Sequence, residues 1–225
     1  MKRSYDKVTL LMHSALVAIN YLLGLLLYFK LPDSVPITYI LWSHTVIHGP
    51  KALLCFGIPT GILLLFLLLE FAPMLDPRCT DHRAFSRRYK TLQSIILLFI
   101  SIFYWWHIHV AQGVALAAAT AVPVLAGAFL TIIGNYIVTI RHNYIFGIRT
   151  PWALSSEWNW RKTHRFAGRL WVAVGIAVIL CGLLCPPTAI VFIFLAIVAP
   201  IIYSLVLYLK YESNNTGGSG GVHRP

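Results

Sequence analysis

Six apolar stretches, each near the length that crosses a bilayer, constrain this chain more than any other feature. About 20 residues of α-helix span the roughly 30 Å hydrocarbon layer, and a backbone in that layer must satisfy its polar groups within helices or closed barrels. The stretches fall at 8–29, 52–75, 91–111, 114–140, 168–184 and 188–209. They predict an all-α, polytopic membrane protein: one bundle of six transmembrane helices over 1–211, an outer loop at 31–51, and cytoplasmic loops at 76–90 and 141–169. Hydrophobic residues make up 58% of the chain and charged ones 11%, a balance foreign to water-soluble domains. The first stretch is too long for a signal-peptide core and no small-x-small site follows it, so it reads as retained. The polar end "ESNNTGGSGGVHRP", 212–225, reads as a disordered tail or a vector-derived remnant.

With six crossings the connections alternate sides, and sixteen of the 18 Lys and Arg fall on one side, leaving Lys30 and Lys51 on the other. Lys and Arg near helix ends are retained in the cytoplasm. Both termini and both basic loops are therefore expected inside. The net charge of +11 then reflects topology, and no direct contact with nucleic acid is expected.

The densest charge and aromatic surface lies in "GIRTPWALSSEWNWRKTHRFAGRLW", Gly147 to Trp171. Its cations suit a cytoplasmic loop, and Trp152, Trp158, Trp160 and Trp171 suit headgroup depth. Thr150 before Pro151 reads as an N-cap and first-turn proline, and Ser155 and Ser156 before Glu157 offer a second start. From there to Arg169 the pattern suits a helix lying in the interface, its cations near lipid phosphates. Within the bilayer, Asn135 follows Gly127 and Gly134 and is expected to bond a neighbouring helix. Glu70 is expected to form a buried pair with Arg149 that orients the loop. Pro59, Pro123 and Pro200 interrupt three of the stretches and permit kinks.

His44 and His48, four apart, and His107 and His109 are all expected at the outer side. Imidazoles at i and i+4 can share a metal. Histidines bonded to water or backbone are the main reading, because no acid or thiolate completes a ligand set. A zinc or copper site there is the lesser reading, and no other cofactor is expected. Cys55, Cys181 and Cys185 on or near the outer side and Cys79 inside are expected as buried free thiols. The sequence holds no nucleophile beside a base, no glycine-rich phosphate loop and no paired carboxylates, so enzyme activity is not expected.

The run from Gly134 to Trp171 resembles the signature of the SdpI-type bacterial immunity protein family: G-N, then N-x-x-x-G-[IL]-R-T-P-W-[TA]-L, then W-[RK]-K. Gly134, Asn135, Asn143, Gly147, Arg149, Thr150, Pro151, Trp152, Leu154, Trp160 and Lys162 match it. "LPDSVPITY" resembles a loop of the companion domain often found before it, with Thr38 where the relatives carry histidine, and "FAPMLDPR" with Phe85 and Tyr89 resembles the family's second loop. The resemblance implies protection from a secreted, membrane-active peptide toxin and recruitment of a cytoplasmic transcriptional repressor.

The expected mechanism has the outer loop meet the toxin and shift the bundle. Arg149, Trp152, Glu157 and Trp160 set the signature loop's geometry, and Arg161, Lys162 and Arg165 offer a surface to a protein partner or lipid. The alternatives are a small-molecule or ion transporter with Asn135, Glu70 and Arg149 along its path, and a membrane enzyme using a metal at the outer histidines.

Overall fold

The computed structural model describes residues 2–40, 45–75, 82–113, 118–185 and 188–216. Helix α1 (Lys2–Tyr28) leads to an antiparallel hairpin, β1 (Ser34–Ile40) and β2 (Thr45–Pro50). A π-helical turn, Leu53–Gly57, runs into α2 (Ile58–Phe71), and a 3-10 turn follows at Ala72–Leu75. The remaining helices are α3 (His82–Ala111), α4 (Ala118–Ile137), the short α5 (Pro151–Ser155), α6 (Glu157–Leu184) and α7 (Ala189–Thr216). Six helical segments are long and apolar enough to cross a membrane: Lys7–Tyr28, Leu53–Phe71, Arg87–Ala111, Thr120–Ile137, Glu157–Leu184 and Ala189–Tyr211. The protein is a multi-pass membrane protein of mostly helical architecture.

Three features depart from the sequence expectation. The segment expected as a loop at 31–51 carries a two-stranded hairpin, a small addition to the mostly helical fold. Its β1 is rich in β-branched and aromatic residues, which suit a pleated strand, and Val35 is fully buried against the helices while most of β2 faces outward. The interfacial helix expected up to Arg169 does not exist as a separate element. A break at Ser156 ends α5, and the 28 residues of α6 continue without interruption into the membrane. At 1.5 Å per residue α6 is about 42 Å long, so its basic first turns project beyond the hydrocarbon. Finally, α7 continues to Thr216, into the segment expected to be disordered; residues 217–225 lie outside the described residues.

The first three long helices and the hairpin share one core, built on Leu54, Ile62, Phe66, Leu97, Tyr104 and Ile108 with Leu31 and Val35 from the hairpin segment. Gly24 makes it possible: a Cβ there would run into the Cys55 carbonyl and stand 2.9 Å from the Tyr104 hydroxyl, so α1 reaches the π-helical turn only without a side chain. A buried polar ladder with heptad spacing joins α1 to α3. His13 Nε2 bonds Ser94 Oγ at 2.8 Å, and Asn20 Nδ2 donates to Ser101 Oγ at 2.8 Å. Trp105 Nε1 donates to Asn20 Oδ1 at 2.7 Å, closing the upper rung. In lipid, such interhelical bonds and close backbone approach hold helices together, because apolar contact alone does not distinguish a neighbour from an acyl chain. At the base of the hairpin Lys51 pairs with Asp33 at 2.9 Å, and that hydrogen bond holds the ammonium above its ordinary pKa.

The second half packs α4, α6 and α7 around Val174, Val178, Ala189 and Ala196. Here small residues set the approach. Gly127 and Gly134 on α4 face Gly175 and Gly168 on α6, and a Cβ on Gly168 would stand 2.7 Å from the Gly134 carbonyl oxygen. Gly182, one heptad further along α6, meets Pro123 of α4. The two halves join along α3 and α4, where the Phe99 and Phe129 rings stack at 4.2 Å.

Candidate functional site

Between α4 and α5 the chain makes a loop that regular hydrogen bonding does not organise; side chains hold it instead. Asn143, 1% exposed, folds its first turn. Its Oδ1 accepts from the Ile145 and Phe146 N–H groups at 2.8 and 2.7 Å, and its Nδ2 donates to the Arg141 carbonyl at 2.7 Å, the local bonding that asparagine brings to turns. Gly147 follows at φ +110°, a conformation L side chains rarely adopt, and a Cβ there would collide with His164 Nε2 and stand 3.0 Å from the Trp160 ring.

The clasp on this loop comes from α6. Trp160 is fully buried, its Nε1 donates to the Ile140 carbonyl at 3.1 Å, and its ring stacks on His164 at 4.0 Å between centroids. His164 Nδ1 donates to the Trp160 carbonyl at 2.8 Å, which leaves Nε2 to accept the Ile148 N–H at 3.1 Å. Both bonds together require the neutral imidazole with its proton on Nδ1. His142 adds a ring contact to Trp160 at 5.0 Å.

A buried polar group then ties the clasp to α7. Asn159 Nδ2 donates to the Ser204 carbonyl at 3.0 Å, and its Oδ1 accepts from Thr163 Oγ1 at 2.9 Å and Ser204 Oγ at 3.1 Å. Thr150 Oγ1 bonds Ser204 Oγ at 3.0 Å while also accepting the Ala153 N–H, so one hydroxyl caps α5 and anchors it. Ser156 caps α6 by accepting from Asn159 N at 3.5 Å. Both caps and the first-turn Pro151 agree with the sequence.

The other expected site residues divide. Arg149 is exposed and donates through Nη1 to the Tyr144 carbonyl. It does not meet Glu70, which instead accepts from Lys90 Nζ at 2.6 Å and from Gln93 Nε2 at 3.1 Å. The register of α2 against α3 decides this, since both partners of Glu70 project from one face of α3. Asn135 is exposed; Gly134 beside it makes the contact with α6. Glu157 pairs with Arg161 at 3.4 Å, but both side chains are about two-thirds exposed, so the pair holds nothing in place. It serves as the first-turn acid of α6. Trp152 is partly buried, its Nε1 without a partner in the structure. Arg161, Lys162 and Arg165 are exposed on α6, with Lys162 Nζ 6.0 Å from the Trp158 ring centre.

Of the four histidines expected at the outer side, His44 lies outside the described residues. His48 is exposed on β2, His109 is exposed on α3, and His107 is buried with Nδ1 on the Phe103 carbonyl at 3.2 Å. Among the described residues no three His, Cys, Asp or Glu come together in a way that could hold a metal ion. Cys55 is buried and Cys181 partly so, but Cys185 is exposed at the end of α6; Cys79 lies outside the described residues. His164, Asn159, Thr163 and Ser204 belong to this site without standing out in the sequence. The four-residue spacing of Trp160 and His164 was the available signal for the first.

Removing the Glu70 carboxylate leaves the Lys90 ammonium, 11% exposed, without its partner. Glu70→Gln is expected to destabilise the protein by about 3 kcal/mol, the low end for breaking a buried pair, read as a lower unfolding midpoint in detergent. The double exchange Glu70→Lys with Lys90→Glu is expected to recover most of that loss, whereas exchange with Arg149 recovers none.

Residues 139–204 match the model of the SdpI/YfhL protein family. The matched region begins at the clasped loop, contains α5 and α6, and ends in α7 at Ser204, the residue that anchors the clasp; over it the chain is SdpI-like. Neither the curated proteins nor the solved structures contain a match.

Proposed function

We propose that this protein protects a bacterium from a secreted, membrane-active peptide, acting without catalysis and with its basic loops in the cytoplasm. The observation that carries this reading is the coincidence of the SdpI/YfhL match with one structural unit, the loop clasped by Trp160 and His164 and tied to α7. The sidedness rests on the sixteen Lys and Arg gathered on one side of the sequence. The hairpin at the opposite end is the surface that meets the peptide. Binding there favours one arrangement of the bundle, and the clasped loop changes its exposure, provided the peptide binds that arrangement better. Arg161, Lys162 and Arg165, exposed within little more than one turn of α6, then hold an acidic protein partner such as a cytoplasmic repressor.

Asn135, Glu70 and Arg149, the three residues a transport path would need, point to different places in the fold, which favours protection over transport. The test pairs survival with topology. Expression in a peptide-sensitive bacterium is expected to raise the inhibitory peptide concentration several-fold without solute flux in vesicles. In a background with the native cysteines replaced, a cysteine at Ser155 is expected to react with an impermeant maleimide only after cells are opened, and one at Thr45 in intact cells. Labelling of the Ser155 position from outside, or flux without protection, would overturn the reading.

A further inference from the structure

At the basic end of the bundle, where the halves meet, the start of α3 and the segment after α4 border a small groove open to its surroundings. Arg88 and Arg141 line it together with the apolar surfaces of Tyr89, Leu92 and Phe146. Arg88 commits one of its five donors to the Thr139 carbonyl at 2.8 Å, which fixes its guanidinium across the seam. The Tyr89 and Phe146 rings meet edge to face at 5.1 Å and close the other side. The depth is set by the spans themselves: the third begins at Arg87 and the fourth ends at Ile137, so the groove opens where hydrocarbon gives way to headgroups.

Two arginines beside an apolar wall, at that depth, match one chemical class: an amphiphile with an anionic phosphate. The geometry points to a binding site for the phosphodiester of an anionic phospholipid, held between Arg88 and Arg141, with its glycerol and upper acyl chain against Leu92, Tyr89 and Phe146. Arginine suits this task because its planar donors engage phosphate oxygens in pairs. The site is separate from the Arg161, Lys162 and Arg165 surface and does not depend on the protective role proposed above. A lipid seated there bridges α3 and the clasped loop, adding to a junction between halves made by the Phe99–Phe129 stack and the Arg88 bond.

Native mass spectrometry and thermal unfolding of the full chain in a neutral detergent test this, with phosphatidylglycerol, phosphatidylcholine and sodium phosphate as separate additions. One phosphatidylglycerol per chain is expected to be retained and to raise the unfolding midpoint, with phosphatidylcholine and sodium phosphate giving neither effect. Arg88→Gln with Arg141→Gln is expected to weaken phosphatidylglycerol binding roughly tenfold or more, and Arg161→Gln by about twofold at most. Equal retention of the two lipids would overturn the site using the wild-type protein alone, whether or not the double variant folds. Equal weakening by Arg161→Gln would reduce the effect to general surface charge. A midpoint shift with sodium phosphate matching that with lipid would assign the groove to the free ion and overturn the lipid.

Discussion

Gly168→Leu is expected to separate α4 from α6 and to lower the unfolding midpoint in detergent sharply, with Gly175→Leu close behind. The first atom of any side chain is already too much: a Cβ at Gly168 stands 2.7 Å from the Gly134 carbonyl oxygen, and one at Gly175 stands 2.6 Å from that of Gly127. Val138 and Thr131 side chains crowd these positions as well, but the two carbonyl oxygens are backbone and cannot rotate aside as a side chain can. Overpacking a well-fitted site costs about 1–3 kcal/mol, and we place alanine in that range and leucine at about 3 kcal/mol or above. Gly61 supplies the opposite control. A Cβ there meets nothing within 4 Å, so Gly61→Ala in mid-helix is expected to stabilise by about 0.5–1 kcal/mol. If Gly168→Leu melted at the wild-type temperature, the glycine-lined contact between α4 and α6 would be wrong.

Trp160→Ala is expected to release the loop between α4 and α5 and to destabilise the protein by about 3–5 kcal/mol, the range for emptying a buried tryptophan site. The fully buried indole fills the space under Gly147, bonds Ile140 and stacks on His164. Trp160→Phe keeps much of the ring volume and forfeits the hydrogen bond, so about 1–2 kcal/mol is expected. Limited proteolysis separates loop opening from global unfolding: cleavage within 138–150 is expected to rise in Trp160→Ala at temperatures where the helices remain folded. His164→Ala, which removes the acceptor for the Ile148 N–H, is expected to open the same segment. A Trp160→Ala protein whose loop resisted protease as the wild type does would refute the clasp.

The features that local chemistry controls were readable in advance. Thr150 and Ser156 cap their helices because a cap involves residues only three positions apart. Pro151 begins α5 because its fixed φ suits a first turn. The misreadings cluster where the outcome depends on which faces meet. Glu70 lies one helix away from several cations, and only the packing of α2 on α3 selects Lys90 over Arg149. Asn135 and Gly134 are neighbours in sequence, yet the turn of α4 sends the glycine to α6 and leaves Asn135 exposed. The continuity of α6 is hidden in the sequence because its first turns are polar and its apolar run begins only where the charges thin out.

Chain order alone dictates that there are six helices of membrane-crossing length, where positive charge accumulates and how α5 and α6 begin, since these follow from residue length, charge and capping groups close together in sequence. Three-dimensional packing chooses the glycine-lined face between α4 and α6, the partner of Glu70 and the clasp of Trp160 and His164 on a loop up to about twenty residues upstream. The reason lies in the solvent. In water a buried face is marked by being apolar, but in lipid both the inner and outer faces of a helix are apolar, so the hydrophobic pattern that would reveal neighbours is absent. Small residues and paired polar groups carry that information instead, and their partners become visible only when the helices are set side by side.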